Sequence, residues 1–337
     1  MRRGSVLVTG GAGFIGSHAC LHLAEAGYQP VAVDNLRTGH ADAVKWGPFV
    51  PLDIRNTEAL SQVMMQYNCE TVMHFAAAAY VGESVREPGL YYDNNVGGMI
   101  ALLAAMQQAG VRDLVFSSSC ATYGTPETQP IHETTRQQPI NPYGRTKLIC
   151  EDMIRDHAAS WGLRFAILRY FNACGADPAG RLAERHTPET HIIPLALMAA
   201  AGRCPALKVF GTDYDTPDGT CVRDYIHVSD LARAHVLATK ALKTKNLEQG
   251  GQNLALNLGS GTGHSIREII AAIEVVTGRQ VPWQAAARRA GDPPMLVADT
   301  RCAARMLDFV TRQSDLLTIL RDAAPSFGLE VQDDLCA

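Results

Sequence analysis

Tyr143 and Lys147 stand four residues apart in NPYGRTK, a spacing that puts a phenol and an ammonium on one face of a helix, one turn apart. Tyrosine with an ordinary pKa near 10 is a weak base at neutral pH. A neighbouring cation favours its phenolate, so the pair is suited to moving a proton. A lone Y-x-x-x-K match is common by chance and reads as a tyrosine packed on a surface helix. The serines Ser117–Ser119 add weight, because they follow the apolar run Leu114–Phe116 and so fall at the carboxyl end of a strand. Open α/β sheets bind ligands at that end. A hydroxyl placed there can relay a proton between a ligand and Tyr143, although a serine-rich loop satisfying backbone groups has the same composition.

A second group of residues suits a dinucleotide. Gly10, Gly13 and Gly16 form G-x-x-G-x-x-G between the β-branched run Ser5–Thr9 and a helical pattern over Ile15–Ala26. In such a turn the first glycine allows a sharp bend, the second gives a pyrophosphate room, and the third lets helix and strand pack closely. Free N–H groups at the helix start then face the anion. Asp34 ends the next strand, Pro30–Asp34, 18 residues after Gly16, where an acid bonds an adenosine ribose. Its charge favours NAD over NADP, and Arg37 weakens that preference slightly. The later GSGTG (259–263) has no acidic partner on a following strand and reads as an ordinary loop.

These residues need a frame. Short apolar strands are expected at Ser5–Thr9, Pro30–Asp34, Val50–Asp53, Thr71–Ala76, Leu114–Ser118 and Phe165–Arg169, and again at Ala255–Leu258. Helices are expected around Thr57–Tyr67, Val96–Gln108, Pro194–Ala201 and Tyr225–Lys240. Another should open at Tyr143, with Asn141 as its cap and Pro142 in its first turn. Near-continuous apolar strands alternating with helices predict an α/β fold, a doubly wound parallel (Rossmann) sheet. After Asn172 the chain turns rich in Pro, Gly, Asp and Thr, which predicts a smaller, interleaved C-terminal substrate-binding lobe.

Composition narrows the function classes. The 337 residues carry 30 basic and 34 acidic side chains, a formal charge of −4, which argues against a nucleic-acid partner. Hydrophobic residues make up 47%, enough for a substantial core. The most apolar stretch, Ile192–Ala201, is short and broken by Pro194, so no membrane span is expected. The apolar run near the start is too short for a secretory leader. Nine scattered cysteines without a CxxC pair fit reduced thiols, a cytoplasmic location and no metal site. Cys120, beside the serines, reads as a packed thiol.

Taken in order, the motifs resemble the extended short-chain dehydrogenases/reductases, and within them the branch of UDP-glucose (UDP-galactose) 4-epimerases. The matching segments are VTGGAGFIGSH (8–18), VGESV (81–85), YYDNNV (91–96), FSSSCATYG (116–124), NPYGRTK (141–147), LRYFNACGADPAG (168–180), FGTDYDTPDGTCVRDYIHVSDLA (210–232), NLGSGTG (257–263) and RRAGDPP (288–294). The resemblance covers about residues 5–310. It implies Ser119, Tyr143 and Lys147 as catalytic residues. It implies an NAD site at Gly10, Gly13, Phe14, Ile15, Gly16, Asp34, Asn35, Asp53, Ile54, Ala76, Asn94, Lys147 and Tyr170. For a UDP-sugar it implies Asn172, His191, Phe210, Arg223, Arg289 and Asp292 besides Ser119 and Tyr143, with the arginines on the diphosphate. From the residues alone, Arg223 also reads as an ion pair with Asp224, and Asn172 as a local cap.

The implied reaction is reversible 4-epimerisation of a UDP-hexose, UDP-galactose to UDP-glucose. It passes through a transient 4-keto sugar, with tightly bound NAD taking and returning the hydride. The NAD-binding domain is expected over 1–172 plus about 224–260, and the UDP-sugar lobe over 173–223 plus about 261–337. A homodimer is implied, through helices Val96–Gln108 and Tyr143–His157. Three positions depart from the family's familiar pattern. Ala79 replaces a lysine. His191 replaces an asparagine near the diphosphate, where it donates to phosphate or simply packs. Leu296 replaces an aromatic residue that narrows the sugar pocket. An aliphatic Leu296 leaves UDP-N-acetylhexosamines open as substrates, and epimerases of UDP-xylose/UDP-arabinose or UDP-uronates share all the motifs above. A 4,6-dehydratase would need an Asp-Glu pair where Cys120 and Ala121 stand. A non-catalytic NAD-sensing protein would be expected to lose Tyr143 or Lys147.

Overall fold

A computed structural model describes residues 3–244, 253–289 and 292–332. Cys336 and the chain end at 337 lie outside the described residues. The first half alternates strand and helix: β1 (Ser5–Thr9), α1 (Phe14–Glu25), β2 (Gln29–Asp34), β3 (Phe49–Pro51), α2 (Thr57–Gln66), β4 (Cys69–His74), α3 (Val81–Arg86), α4 (Pro88–Tyr91), α5 (Gly98–Ala109), β5 (Asp113–Ser119), α6 (Pro142–Trp161) and β6 (Arg164–Tyr170). These strands and a later one, Leu254–Leu258, form a seven-stranded parallel sheet. Its order is β3-β2-β1-β4-β5-β6 followed by the Leu254–Leu258 strand. The reversal between β1 and β4 creates the crevice where doubly wound sheets hold dinucleotides.

Both faces of the sheet are covered, which is why its strands read as unbroken apolar runs. Val6, Val8, Met73, Val115, Ala166 and Leu168 pack on one face with Ala19, Leu23, Leu231 and Ala234. Leu7, Val31, Val72, Leu114 and Ile167 pack on the other with Leu60, Met64, Leu102, Met106, Cys150 and Ile154.

The rest of the chain supplies β7 (Asn172–Cys174), α7 (Ile192–Ala200), β8 (Leu207–Phe210), β9 (Val222–His227), α8 (Val228–Thr244), β10 (Leu254–Leu258), β11 (Gly263–Ser265), α9 (Ile266–Thr277), β12 (Trp283–Ala286), β13 (Met295–Leu296), α10 (Arg301–Leu307) and α11 (Leu316–Ala323). A four-stranded sheet centres on β9, which pairs with β7, β11 and β13, while β8 pairs with β12. A separate core of Ile193, Leu197, Val209, Tyr225, Ile269, Ile273 and Leu320 lies under these elements.

Three local expectations change. Tyr225–His227 is strand, and the helix starts at Val228. The apolar spacing of the helix runs back into the strand, and β9 gains hydrogen-bonded neighbours on both sides. β9 therefore spans the expected lobe boundary near 224. The helix expected from Val96 begins earlier, as a π-helical turn over Tyr92–Gly97 that runs into α5. Such turns occur often at functional sites. Val50–Asp53 is strand only as far as Pro51, where β3 ends.

Candidate active site

α6 starts as its cap chemistry predicts. Asn141 Oδ1 accepts from Gly144 N–H at 2.8 Å, and Pro142 occupies the first turn. Gly144 is there for space: a Cβ at this position would lie 2.4 Å from Ala121 O. Its absence lets the start of α6 press against the backbone just after β5, which brings Tyr143 to Ser119. Burial pushes the Tyr143 phenol up to about 12, and the Ser119 hydroxyl beside it pulls the other way. Ser119 Oγ also accepts from Ala121 N–H at 3.1 Å.

Lys147 is buried one turn along. Its Nζ donates to Ser117 O at 2.7 Å and lies 5.9 Å from the centre of the Tyr143 ring. Burial pulls its ammonium down to about 8. The sequence leads one to expect Lys147 to act directly on Tyr143; here its ammonium is turned to the carbonyl of β5. Burial also raises the Cys120 thiol to about 12, which makes it a poor nucleophile.

A buried network that sequence reading did not single out braces this corner. Glu151, one turn beyond Lys147, accepts from Ser118 Oγ at 2.6 Å and from Arg169 Nε and Nη2 at 2.9 and 2.7 Å. Arg169 Nη1 donates to Tyr123 Oη at 2.8 Å, and Tyr123 Oη donates to Asn257 Oδ1 at 2.7 Å. Burial would raise the Glu151 carboxyl, but Arg169 outweighs it and holds it low. β5, α6, β6 and β10 are thus tied together under Ser119 and Tyr143. Each residue sits inside or beside a motif already noted, yet the pairs are too far apart in sequence for spacing to link them. Asn95, in the π-helical turn, is a second omission. It accepts from Ala78 N–H at 2.8 Å and donates to Ala78 O and Thr146 Oγ1, each at 3.0 Å.

The glycine turn meets the stereochemical demands of a dinucleotide site. A Cβ on Gly16 would sit 2.1 Å from Gly10 O, so only glycine lets α1 pack this closely on β1. Gly13 caps α1 without any side-chain bond, and the first turn, with Phe14 and Ile15, carries no acid. Its N–H groups are suited to an anion. Asp34 is buried at the end of β2 and fixed by Ala12 N–H at 3.1 Å and Leu36 N–H at 2.8 Å. Arg37 lies 4.0 Å from Glu83. This donor set fits a dinucleotide whose ribose carries free hydroxyls.

Asn35 donates to Asp53 at 3.0 Å, and Arg55 holds Asp53 well below the usual carboxylate range. Ile54 is buried, Ala76 packs on Gly10, and Asn94 Nδ2 donates to Asn95 Oδ1 at 3.0 Å. Tyr170 pairs with Ser119 in the β5–β6 register and bonds Ser117 through its hydroxyl.

Arg223 pairs with Asp292 at 2.6 Å and not with its neighbour Asp224, which instead accepts from Ser260, Gly261 and Ala298 N–H. Arg223 is close enough to shift Cys120, next to Ser119. Arg289 stacks on Phe210, its guanidinium carbon 3.9 Å from the ring centre. Asn172 Nδ2 donates to Asp224 O at 2.8 Å, so it is no local cap. His191 is engaged elsewhere, with Glu184 and Glu189. Leu296 is buried with Tyr123, Ile131 and Phe171.

A family model, the NAD dependent epimerase/dehydratase family, matches residues 6–259. This chain belongs to that family. It is 52% identical over 323 residues to a UDP-glucose 4-epimerase of Rhizobium meliloti, covering 96% of this chain and 97% of that one. The crystal structure of UDP-glucose 4-epimerase from Brucella ovis in complex with NAD superposes with a TM-score of 0.94 at 59% identity, covering 98% of this chain and all of the other. A Stenotrophomonas maltophila UDP-glucose-4-epimerase with bound NAD and formylated UDP-arabinopyranose gives 0.93 at 43% identity, covering 97% and 98%. Family members of this fold are NAD-dependent, in keeping with the glycine turn and Asp34. Among the described residues no helix is long and apolar enough to cross a membrane.

Proposed function

We propose that this chain is an NAD-dependent isomerase that interconverts UDP-galactose and UDP-glucose by reversible epimerisation at C4. The observation that carries the reading is the seating of Tyr143 against Ser119 at the carboxyl end of β5, with Lys147 buried one turn away. Arg223 and Arg289 hold the diphosphate of the substrate through forked contacts. Asp292 fixes the Arg223 fork and contacts the ribose, Phe210 with Arg289 stacked on it borders the uracil, and Asn172 completes the nucleotide contacts, His191 being held by Glu184 and Glu189. Gly10, Gly13, Phe14, Ile15, Gly16, Asp34, Asn35, Asp53, Ile54, Ala76, Asn94 and Tyr170 line the NAD site, and Lys147 holds the nicotinamide ribose. NAD, when bound, supplies a positive ring beside Tyr143 and the acceptor and donor for the hydrogen on C4. Tyr143 removes the proton from the sugar 4-hydroxyl, relayed by Ser119, and gives it back after the sugar has turned over. Protons and electrons balance within each cycle, so the reaction needs no external redox partner.

An aliphatic Leu296, where an aromatic side chain would narrow the sugar pocket, supports tolerance of N-acetylated hexoses. The exposed Ile100 on α5, between the buried Met99 and Ala101, supports a homodimer built on α5 and α6. The unpaired thiols of the eight described cysteines support a cytoplasmic location. The test is incubation of the purified protein with UDP-galactose and no added NAD, followed by chromatography of the sugar nucleotides. UDP-xylose and UDP-N-acetylgalactosamine run in parallel. Appearance of UDP-glucose supports the reading. Absence of UDP-glucose, with or without added NAD, overturns it.

A further inference from the structure

The segment joining β7 to α7 carries ERHTPETH, in which Glu184, His186, Glu189 and His191 converge. One ligand atom from each lies within 4.8 Å of the other three. His191 Nδ1 is 3.0 Å from Glu184 Oε1 and 2.9 Å from Glu189 Oε1. His186 Nδ1 is 3.2 Å from Glu184 Oε1 and 3.4 Å from Glu189 Oε2. Metal–nitrogen and metal–oxygen bonds of about 2.0–2.2 Å place neighbouring ligands of a tetrahedron roughly 3.3–3.6 Å apart. With Glu184 Oε1 and Glu189 Oε2 as the oxygens, three nitrogen–oxygen separations of 3.0, 3.2 and 3.4 Å approach that figure.

Two further features point to a ligand. The Nδ1 of His186 is fully buried and makes no hydrogen bond of good angle, despite the carboxylates beside it. The carboxylates themselves are buried, with side chains 5% and 7% exposed. Two such charges in one place need compensation. In the protein alone the two imidazoles face both carboxylates. A divalent cation held by neutral imidazoles balances the two carboxylate charges.

We propose that Glu184, His186, Glu189 and His191 bind one divalent transition-metal ion, with zinc the best fit. Two imidazoles and two carboxylates suit zinc and its neighbours, whereas magnesium and calcium prefer oxygen donors alone. His191 is 45% exposed, which leaves the ion a route in and room for a water. The Tyr80 ring lies 6.1 Å from His186 and 6.3 Å from His191, and Phe14 lies 6.3 Å from His186. A bound ion therefore pins this segment beside the start of α1. The site does not depend on the activity proposed above, and no part of its test reads turnover.

The test uses the whole protein with its resident dinucleotide, cleared of loose metal with a chelator. Zinc chloride is titrated in by calorimetry near pH 7, in two buffers of different ionisation enthalpy. The expected result is one zinc per chain, with protons released on binding. Cobalt(II) in the same site should give visible tetrahedral bands without the near-ultraviolet band that thiolate ligands produce. Glu189→Gln and His186→Asn should each weaken zinc binding at least about tenfold, with circular dichroism unchanged. The proposal is overturned by absence of saturable binding, by a thiolate-type cobalt spectrum, or by unchanged affinity in both variants. Should either variant fail to fold, the cobalt spectrum of the unaltered chain decides alone.

Discussion

Two regions around the active-site crevice handle buried titratable groups in opposite ways. At the carboxyl ends of β4 and β5, His74 and Tyr143 are buried without an opposite charge, and burial drives them neutral: His74 falls to about 3 and Tyr143 rises to about 12, while Glu151 further along α6 is kept ionised by Arg169. In the segment before α7, His186 is mostly buried and His191 half-exposed, and two carboxylates hold both protonated. Burial acts the same way in both places, and the partner decides the charge. A rigid sheet edge can keep a neutral phenol poised for proton transfer. A loop that encloses two acids must take up protons or a cation.

The largest effect is expected at the neutral region. Tyr143→Phe removes the proton carrier and should lower kcat about 10²–10⁴-fold. Melting temperature should stay near that of the unaltered protein. Turnover of UDP-galactose and a thermal melt check both. Equal activity in the variant would separate this region from the chemistry.

Glu151→Ala comes next. It leaves Arg169 buried without its partner and should destabilise the fold by about 3–5 kcal/mol, read from a urea midpoint. Activity should fall as well, because β5 and α6 lose the tie beneath Ser119 and Tyr143. An unchanged midpoint would mean the network adds nothing to the corner.

The smallest expected effect, pH dependence, contrasts the two regions directly. His18, His74 and His235 have pKa values pulled down by burial to about 4, 3 and 4. Their unfolded counterparts titrate near 6.5. They leave stability intact above that value and erode it as pH falls toward 4. His186 and His191 are raised, so their contribution is complete below about 6.5 and is lost as pH climbs through 9 and 10. Urea midpoints across pH 4.5–10.5 should fall at both ends. His186→Asn should flatten only the alkaline arm.

Much of the frame was legible in the sequence. β1 runs over the expected residues, and Asn141 caps α6 as its type and position suggest. Apolar strand runs and cap residues are local signals. What escaped depends on distance. Glu151 and Arg169 are 18 residues apart, on a helix and a strand, and only the fold joins them. Tyr225–His227, the second half of β9, reads as helix because its apolar pattern continues into α8. Glu184, His186, Glu189 and His191 lie close in sequence, but in a Pro-containing loop without a period to show which side chains would meet. Arg223 pairs with Asp292, 69 residues away, and not with adjacent Asp224, because neighbours on a strand point to opposite faces.

The central claim is that Tyr143 and Ser119 move protons only on oxygen, while the hydrogen on C4 leaves and returns without meeting solvent. Turnover of UDP-galactose in D2O, followed by proton NMR of the UDP-glucose formed, tests it directly. The account predicts product with a full C4–H signal. Deuterium at C4 would contradict it.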